Sequence, residues 1–306
     1  MRITNNMLAY NYLISLNKSL QRQHEIQEQL ADGKAIHRPS DDPVKTIRSL
    51  RFNTNLAMNE QFTQNLKDAI SWMESSDSAL SNMGDILIRA KELVIRAVGP
   101  NPDIALETAG KELDGLINQL IDLTNTQLGD RFIFAGQKDK TQPVVRNGDM
   151  VQYLGDNLKI SMPIQPGSVN PDRDSVNLTG LDLFGQGEAV DGLKLFENLI
   201  YIKNELLKGD DANMDFLSKD AIAWIDSGHD RLLQAQTELG TRYSMYELAQ
   251  RMLEDNYVTI TGDIAANEDI DMAKAIIDFK NSENVYRAAL AVGARVMPVS
   301  LVDFLR

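Results

Sequence analysis

Two long stretches of the chain repeat apolar or small side chains at alternating intervals of three and four residues. Such intervals keep the repeated positions on one face of an α-helix and are typical of a coiled-coil seam. The first seam contains Phe62, Asn65, Ala69, Trp72, Ser76, Ala79, Met83, Ile86, Ala90, Leu93 and Ala97. The second contains Ala221, Ile225, Gly228, Leu232, Ala235, Leu239, Arg242, Tyr246, Ala249, Leu253, Asn256 and Ile260. A helix over 213–262 is about 75 Å long, too long for the core of a compact globule, so the pattern predicts a helical rod.

A third helical segment follows the Gly- and Pro-rich turn over 99–103, which is a natural place for a helix to begin. Its apolar positions are Leu106, Ala109, Leu113, Leu116, Leu120 and Leu123. Because the turn is short, we expect helices over 62–97 and 104–128 to be antiparallel neighbours.

The pattern becomes strand-like after residue 130. The run 131–135 reads RFIFA and is β-prone. The segment 144–153 places Asn147-Gly148 between two strand-like runs, which is a strong signal of a β-hairpin. Helical periodicity returns near Leu193. We therefore predict a small β-rich domain over 130–191, inserted between helical arms over 45–129 and 192–265.

The two chain ends, 1–44 and 266–306, have thinner amphipathic seams. Their predicted assembly positions are Leu13, Leu16, Leu20 and Leu30, then Ile276, Phe279, Tyr286, Leu290, Leu301, Phe304 and Leu305. Helices this poor in apolar side chains usually need a partner surface to stay folded. We expect both ends to be disordered in the monomer and to fold on assembly. The alternative is that they pack on the chain's own helical bundle.

Composition narrows the range of functions. The formal net charge is −13, whereas phosphate binding needs clustered Lys and Arg, so we predict no nucleic-acid partner. The absence of cysteine excludes disulfides, thiolate nucleophiles and cysteine-based zinc sites. No apolar run approaches the length that a membrane span needs, so we predict no membrane insertion. The polar start, MRITNN, indicates that no signal peptide is cleaved.

We find no catalytic or cofactor motif. The three histidines are far apart, Gly185-Gln186-Gly187 lacks the third glycine of a dinucleotide loop, and Gly110-Lys111 is not followed by Ser or Thr. The sequence therefore predicts no enzyme, no cofactor and no metal site. Asp41-Asp42 is better explained by capping, with Ser40 or Asp42 at the start of a helix whose first turn contains Pro43.

The segment 30–44, LADGKAIHRPSDDPV, resembles a stretch found after the first helix of flagellins and flagellar junction proteins. The residues that carry the resemblance are Gly33, Ile36, Pro39, Ser40, Asp41, Asp42 and Pro43. The segments 269–276, 286–295 and 300–305 resemble the C-terminal end of the same family. The resemblance covers 1–135 and 192–306. Pro43-Val44 after the two aspartates is similar to the junction proteins rather than the filament flagellins, whereas Pro298 departs from the family pattern.

The resemblance implies a mainly α fold: an elongated coiled-coil or helical-bundle rod built from both chain ends, with the β-rich domain facing outward. The terminal helices would form an inner core around a channel. The chain would be a secreted structural subunit of the bacterial flagellum that connects the hook side to the filament. Its implied partners are copies of itself in a ring, a neighbouring hook-associated protein, flagellin, and an export chaperone at the C-terminal region. Filament flagellin is the alternative, and a cytosolic coiled-coil scaffold is a more distant one.

Overall fold

The computed structural model describes residues 5–99, 105–164, 175–188, 191–209 and 212–296. These residues form eight helices and two small antiparallel sheets. The helices are α1 (Asn5–Asp32), α2 (Pro43–Val98), α3 (Leu106–Thr124), α4 (Gly180–Phe184), α5 (Lys194–Leu207), α6 (Met214–Ser218), α7 (Asp220–Glu268) and α8 (Met272–Val296). The strands are β1 (Gln127–Leu128), β2 (Arg131–Phe132), β3 (Val144–Asn147) and β4 (Met150–Tyr153). The predicted mainly α fold with a small β region is confirmed.

The chain divides into two compact units. The first contains Met1–Asn59 and Asp255–Arg306, and the second contains Glu60–Glu254. These borders lie further inside α2 and α7 than the predicted borders at 44 and 265. The β-rich segment over 130–191 lies within the second unit, and its buried apolar residues in the described ranges belong to the same hydrophobic core as the helices.

The second unit is built on antiparallel contacts between α2 and α7. Three polar contacts set the direction: Lys91 to Asp226, Asp77 to Gln236, and Glu74 to Tyr243. Most of the first seam is buried, and so is the second as far as Leu253. The structure also buries a second stripe on α2 that the sequence analysis missed, namely Leu66, Met73, Leu80, Leu87 and Val94. This stripe is buried because α2 contacts neighbours on more than one side.

Helix α3 packs closely along α5. A Cβ added at Gly110 would lie 2.9 Å from the Leu207 side chain, so glycine permits this close approach. An ion pair of 3.0 Å between Arg89 and Glu112 joins α2 to α3, in keeping with the predicted neighbours. The predicted end of α3 at 128 was wrong. The helix ends at Thr124 because the Asn125 side chain bonds both backbone groups of Val144.

The predicted hairpin is present, with Asn147 paired to Met150. Its two-residue turn is therefore Gly148-Asp149, and Gly148 has a φ of +67°, as the first position of a primed hairpin turn requires. Only Arg131 and Phe132 of the predicted 131–135 run form a strand, paired with β1. The short helix α4, which the sequence analysis missed, begins with a capping box between Thr179 and Asp182.

The predicted single helix over 213–262 was also wrong at its start. A short helix, α6, is capped by the Asn213 side chain and ends at Ser218, because the next residue, Lys219, has a non-helical backbone with φ −124° and ψ −66°. The long helix α7 begins after that residue and continues to Glu268.

The first unit contains α1 and α8 as an antiparallel pair. The Tyr12 hydroxyl donates a hydrogen bond of 2.7 Å to the carbonyl of Ala289. The same ring lies against Gly293, where a Cβ would overlap the phenol. The two terminal helices thus contact each other within one chain.

Candidate assembly surface and joint

The segment that follows α1 is held against the segment that follows α7. Gly33 ends α1 with a φ of +75°, a backbone conformation that suits glycine. Its carbonyl accepts a hydrogen bond of 3.0 Å from the backbone N–H of Ile270, and Lys34 pairs with Asp269 as an antiparallel bridge. We call this arrangement, residues 32–43 with 267–271, the joint. It brings together two segments that are far apart in sequence.

Glu268 connects the two segments of the joint to each other and to α2, and only 6% of the residue is exposed. Its carboxylate accepts hydrogen bonds from the Ser49 hydroxyl of α2 and from the Lys34 ammonium, the latter at 2.9 Å. Its backbone carbonyl accepts a bond of 2.6 Å from the N–H of Ala35. The Ser49 and Lys34 bonds lower the pKa of Glu268 below its ordinary value of 4.5, because both favour the ionised carboxylate.

The two adjacent aspartates of the motif have separate structural roles. The Asp42 carboxylate accepts 3.0 Å bonds from the N–H groups of Val44 and Lys45, so the predicted cap of α2 is confirmed. The Asp41 carboxylate folds back on the loop and accepts a bond of 2.9 Å from the N–H of Arg38. That bond, opposed by desolvation, lowers the pKa of Asp41.

Asp271 caps the other helix at the joint. Its carboxylate accepts hydrogen bonds from the N–H groups of Ala273 and Lys274, at 3.0 and 3.1 Å, in the first turn of α8. The joint therefore fixes the starts of two long helices, α2 and α8, and the ends of two others, α1 and α7.

A small open cavity of about 230 Å³ lies beside the joint. Its lining residues are Lys34, Ile36, His37, Arg38, Pro39, Thr46, Ser49, Asn53 and Glu268. Lys34 is paired with Glu268, and the His37 ring is 2.7 Å from the Asp32 carboxylate. Lys34 and Asp32, two of the charged groups beside this cavity, therefore already have partners within the chain.

The predicted assembly residues lie on α1 and α8, in the first unit. Leu13, Leu20, Ile276 and Leu290 are exposed, whereas Leu16, Leu30, Phe279 and Tyr286 are half-buried. Leu301, Phe304, Leu305 and Pro298 lie outside the described residues. The antiparallel contact brings the α1 and α8 sets onto one helix pair, and their role in assembly stays a prediction.

The same helix pair exposes apolar residues that the sequence analysis missed. These are Met7, Tyr10 and Ile14 on α1, and Ile277, Val285 and Val292 on α8, each between 49% and 66% exposed. These residues are not part of the predicted seams, because the sequence analysis looked for a single apolar face on each helix. Apolar residues on a second face would have indicated that each helix meets more than one neighbour.

Very little apolar surface is buried within this unit. Among its described residues, only Ile26 and Ala275 are buried hydrophobic side chains. Full burial of an aliphatic side chain contributes about 1.5–3 kcal/mol, while ordering the backbone costs about 1–2 kcal/mol per residue. Burial of apolar side chains within this unit therefore offsets little of the cost of ordering its helices.

The described residues contain no cluster of three or more side chains that could hold a metal ion. No helix within those same ranges combines the length and hydrophobicity needed to cross a membrane.

Parts of the chain are similar to known proteins. Residues 3–139 match the family described as the bacterial flagellin N-terminal helical region. Over these residues the chain is similar to the helical N-terminal region of bacterial flagellins. More particularly, it is similar to hook-associated protein 3 of the flagellum.

The flagellar hook-associated protein 3 of Escherichia coli is 29% identical over 145 residues, which cover 47% of this chain and 46% of that protein. The match thus spans about half the length of that relative. The flagellin of Bacillus subtilis is 23% identical over 316 residues and covers all of both chains. The crystal structure of flagellar hook-associated protein 3 from Legionella pneumophila has a TM-score of 0.61 at 18% identity, over 71% of this chain and 98% of that one. At that identity the structural likeness shows the fold alone.

Proposed function

We propose that this chain is a non-enzymatic structural subunit of the bacterial flagellum that joins the hook side to the flagellin filament. One observation supports it most strongly: the helix pair α1–α8 exposes many large apolar residues and buries almost none in the described structure. Such a pair gains most of its stability from contacts with other chains. The similarity to flagellar hook-associated protein 3 suggests that these contacts form in the flagellum.

The assembly residues of this proposal are those on the two terminal helices, with the joint as a rigid connector. Copies of the chain would form a ring in which the terminal helices pack together. This ring would contact a hook-associated protein on one side and flagellin on the other. Before assembly, the subunit would leave the cell unfolded through the flagellar export channel, after a chaperone has covered its C-terminal region.

A deletion strain tests the junction role. Cells that lack this chain should make hooks without attached filaments and should release unpolymerised flagellin into the medium. Expression of the intact chain from a plasmid should restore the filaments. Normal filaments on the deletion strain would contradict the proposal.

Filament flagellin is the second candidate, because the Bacillus subtilis flagellin aligns over the whole chain. The two candidates differ in what the purified protein does alone. A filament subunit should elongate into long polymers when preformed seeds are added, whereas a junction subunit should not. Long filaments made only of this chain would favour flagellin.

A further inference from the structure

One aromatic side chain of α1 fits into a gap in the side-chain surface of α8. The Tyr12 hydroxyl donates a hydrogen bond of 2.7 Å to the backbone carbonyl of Ala289, and a Cβ added at Gly293 would overlap the phenol. Gly293 is buried and Tyr12 is half-buried, whereas most of α1 around Tyr12 is exposed. We call this arrangement of Tyr12 with Ala289 and Gly293 the Tyr12 contact.

The geometry of a helix explains why this contact needs glycine. In an α-helix the carbonyl of residue 289 points toward residue 293, whose N–H it accepts four residues later. A carbonyl oxygen has two lone pairs, so the Ala289 oxygen can also accept the hydroxyl proton. The Tyr12 hydroxyl must then lie beside the Cα of Gly293, where any other residue has a Cβ. The hydrogen bond and the glycine are therefore two parts of one contact.

Each helix offers the components of this contact once. Gly293 is the only glycine of α8, and α1 has two tyrosines and no Phe or Trp. The other tyrosine, Tyr10, is 66% exposed. If α1 slid along α8 by a turn or more, Tyr12 would meet a residue that has a Cβ, and its ring would be forced away from the backbone carbonyl. The Tyr12 contact can thus form in one register of the helix pair.

The remainder of the pair does little to define the register. Among the described residues, no other hydrogen bond and no ion pair joins α1 to α8. Further along the pair, residues of both helices line a cavity of about 680 Å³, and all of these residues except Val285 are polar. Polar side chains around an open cavity can bond water equally well after the helices shift. The Tyr12 contact is therefore the feature that distinguishes one register from the next.

We propose that the Tyr12 contact sets the register in which α1 pairs with α8, and that only this register assembles with other copies. The exposed apolar residues of the pair lie on both helices, so sliding one helix changes the surface that the pair presents. A slide of one turn moves the two sets of residues by about 5.4 Å relative to each other, enough to misalign a packed interface. The proposal rests on the structural role proposed above and names the residues that position its assembly surface.

Engineered cysteines can report the register, because the natural chain has none. In full-length protein that carries Ser19→Cys and Ser282→Cys, both positions line the cavity between the helices. A short linker that reacts with two thiols should join them within one dilute chain, even if the pair opens often. The control combines Ser19→Cys with Lys274→Cys, an exposed position about 12 Å further along α8, and should give a much lower yield. Equal yields, or links only between copies, would overturn the proposal.

Gly293→Ala tests the gap in α8. Helix propensity alone would let alanine stabilise α8 and raise the yield of the link. Overlap with the Tyr12 ring should instead lower the yield of the Ser19–Ser282 link about tenfold, equivalent to about 1.4 kcal/mol. Gly262→Ala on α7 is the matched control and should not lower the yield, because no described neighbour lies within 4 Å of a Cβ there. An unchanged or higher yield with Gly293→Ala would contradict the proposal.

A double variant separates the Tyr12 contact from a general effect on the helices. Tyr12→Ala by itself should also lower the yield about tenfold, because both the hydroxyl and the ring are lost. Adding Gly293→Ala should then cause no further loss, since the ring that the Cβ would overlap is gone. If the two losses add instead, the two residues act independently and do not form one register contact.

Filament formation tests whether the register matters for assembly. In the deletion strain, the Gly293→Ala chain should restore far fewer filaments than the wild-type chain or the Gly262→Ala chain. If it restored as many as the wild type, the register would not control assembly, and this proposal would be wrong while the junction role stands. If the purified variants cross-link as expected but normal filaments form without the chain, the register contact within the chain stands and the junction role is wrong.

Discussion

At the scale of single residues, Glu268 bonds both to the joint and to α2. Its carboxylate bonds Ser49 and Lys34, from two other segments of the chain. Removing its charge with Glu268→Gln should weaken the joint by about 1–3 kcal/mol, the usual contribution of hydrogen bonds to a buried charged group. We expect flagella that carry this variant to lose their filaments at a lower temperature than the wild type at pH 7.

The effect should depend on pH with a definite sign. Since the folded state lowers the pKa of Glu268, its contribution is complete above the ordinary value of 4.5 and is lost as the pH falls through the lower folded value. The difference between wild type and variant should therefore shrink as filament release is measured at successively lower pH below 4.5. Glu28→Gln on α1 is the control, because the Glu28 side chain is 42% exposed and its carboxylate lies 4.0 Å from the His24 ring. A pH-independent difference would show that the charge of Glu268 is not the cause.

The joint also shows what the sequence could and could not reveal at this scale. The Asp42 cap was predictable, because an aspartate directly before Pro43 satisfies local backbone groups. The role of Glu268 was not, since its partners are 219 and 234 residues away along the chain. No local pattern records a contact over that distance.

At the scale of elements, the coiled-coil seam of α2 can be tested at Ala90, which is 1% exposed. Ala90→Asp would place a carboxylate without a partner in a tight helix contact. Because burying such a charge is costly, the free energy of unfolding should fall by several kcal/mol, on the order of 3–5. Thermal unfolding followed by circular dichroism measures the change.

The same substitution at Ala223 is the matched control, because this alanine is exposed on α7. Ala223→Asp should change the free energy of unfolding by about 0.5 kcal/mol or less. Equal melting temperatures for Ala90→Asp and the wild type would mean that the seam is assigned to the wrong face.

The helical repeat predicted which elements exist better than where they end. The three-and-four spacing identified α2, α3 and α7 because a buried face repeats over many turns. It missed the end of α3 and the separate helix α6, where single side chains of Asn125 and Asn213 bond the backbone. It also missed the stripe from Leu66 to Val94, because a single seam describes a helix with one neighbour, and α2 has several.

At the scale of the whole molecule, the chain should behave as a stable body with terminal helices that depend on assembly. All buried hydrophobic residues in the described structure except Ile26 and Ala275 lie in the unit Glu60–Glu254. The predicted body, 45–265, contains more of α2 and α7 than the compact unit Glu60–Glu254 does. Periodicity could not locate the borders, because both helices continue through them without a break.

Limited proteolysis of the dilute full-length monomer can test this dependence. We expect early cleavage within α1 and α8 and a resistant fragment that approximates Glu60–Glu254, because cleavage rates follow the population of locally open states. The matched sample is the same protein within purified flagella, where the terminal helices should resist the same dose. If both helices in the dilute monomer resisted as strongly as the central fragment, the chain's own contacts would be sufficient to fold them. Their exposed apolar residues would then no longer explain why the subunit assembles.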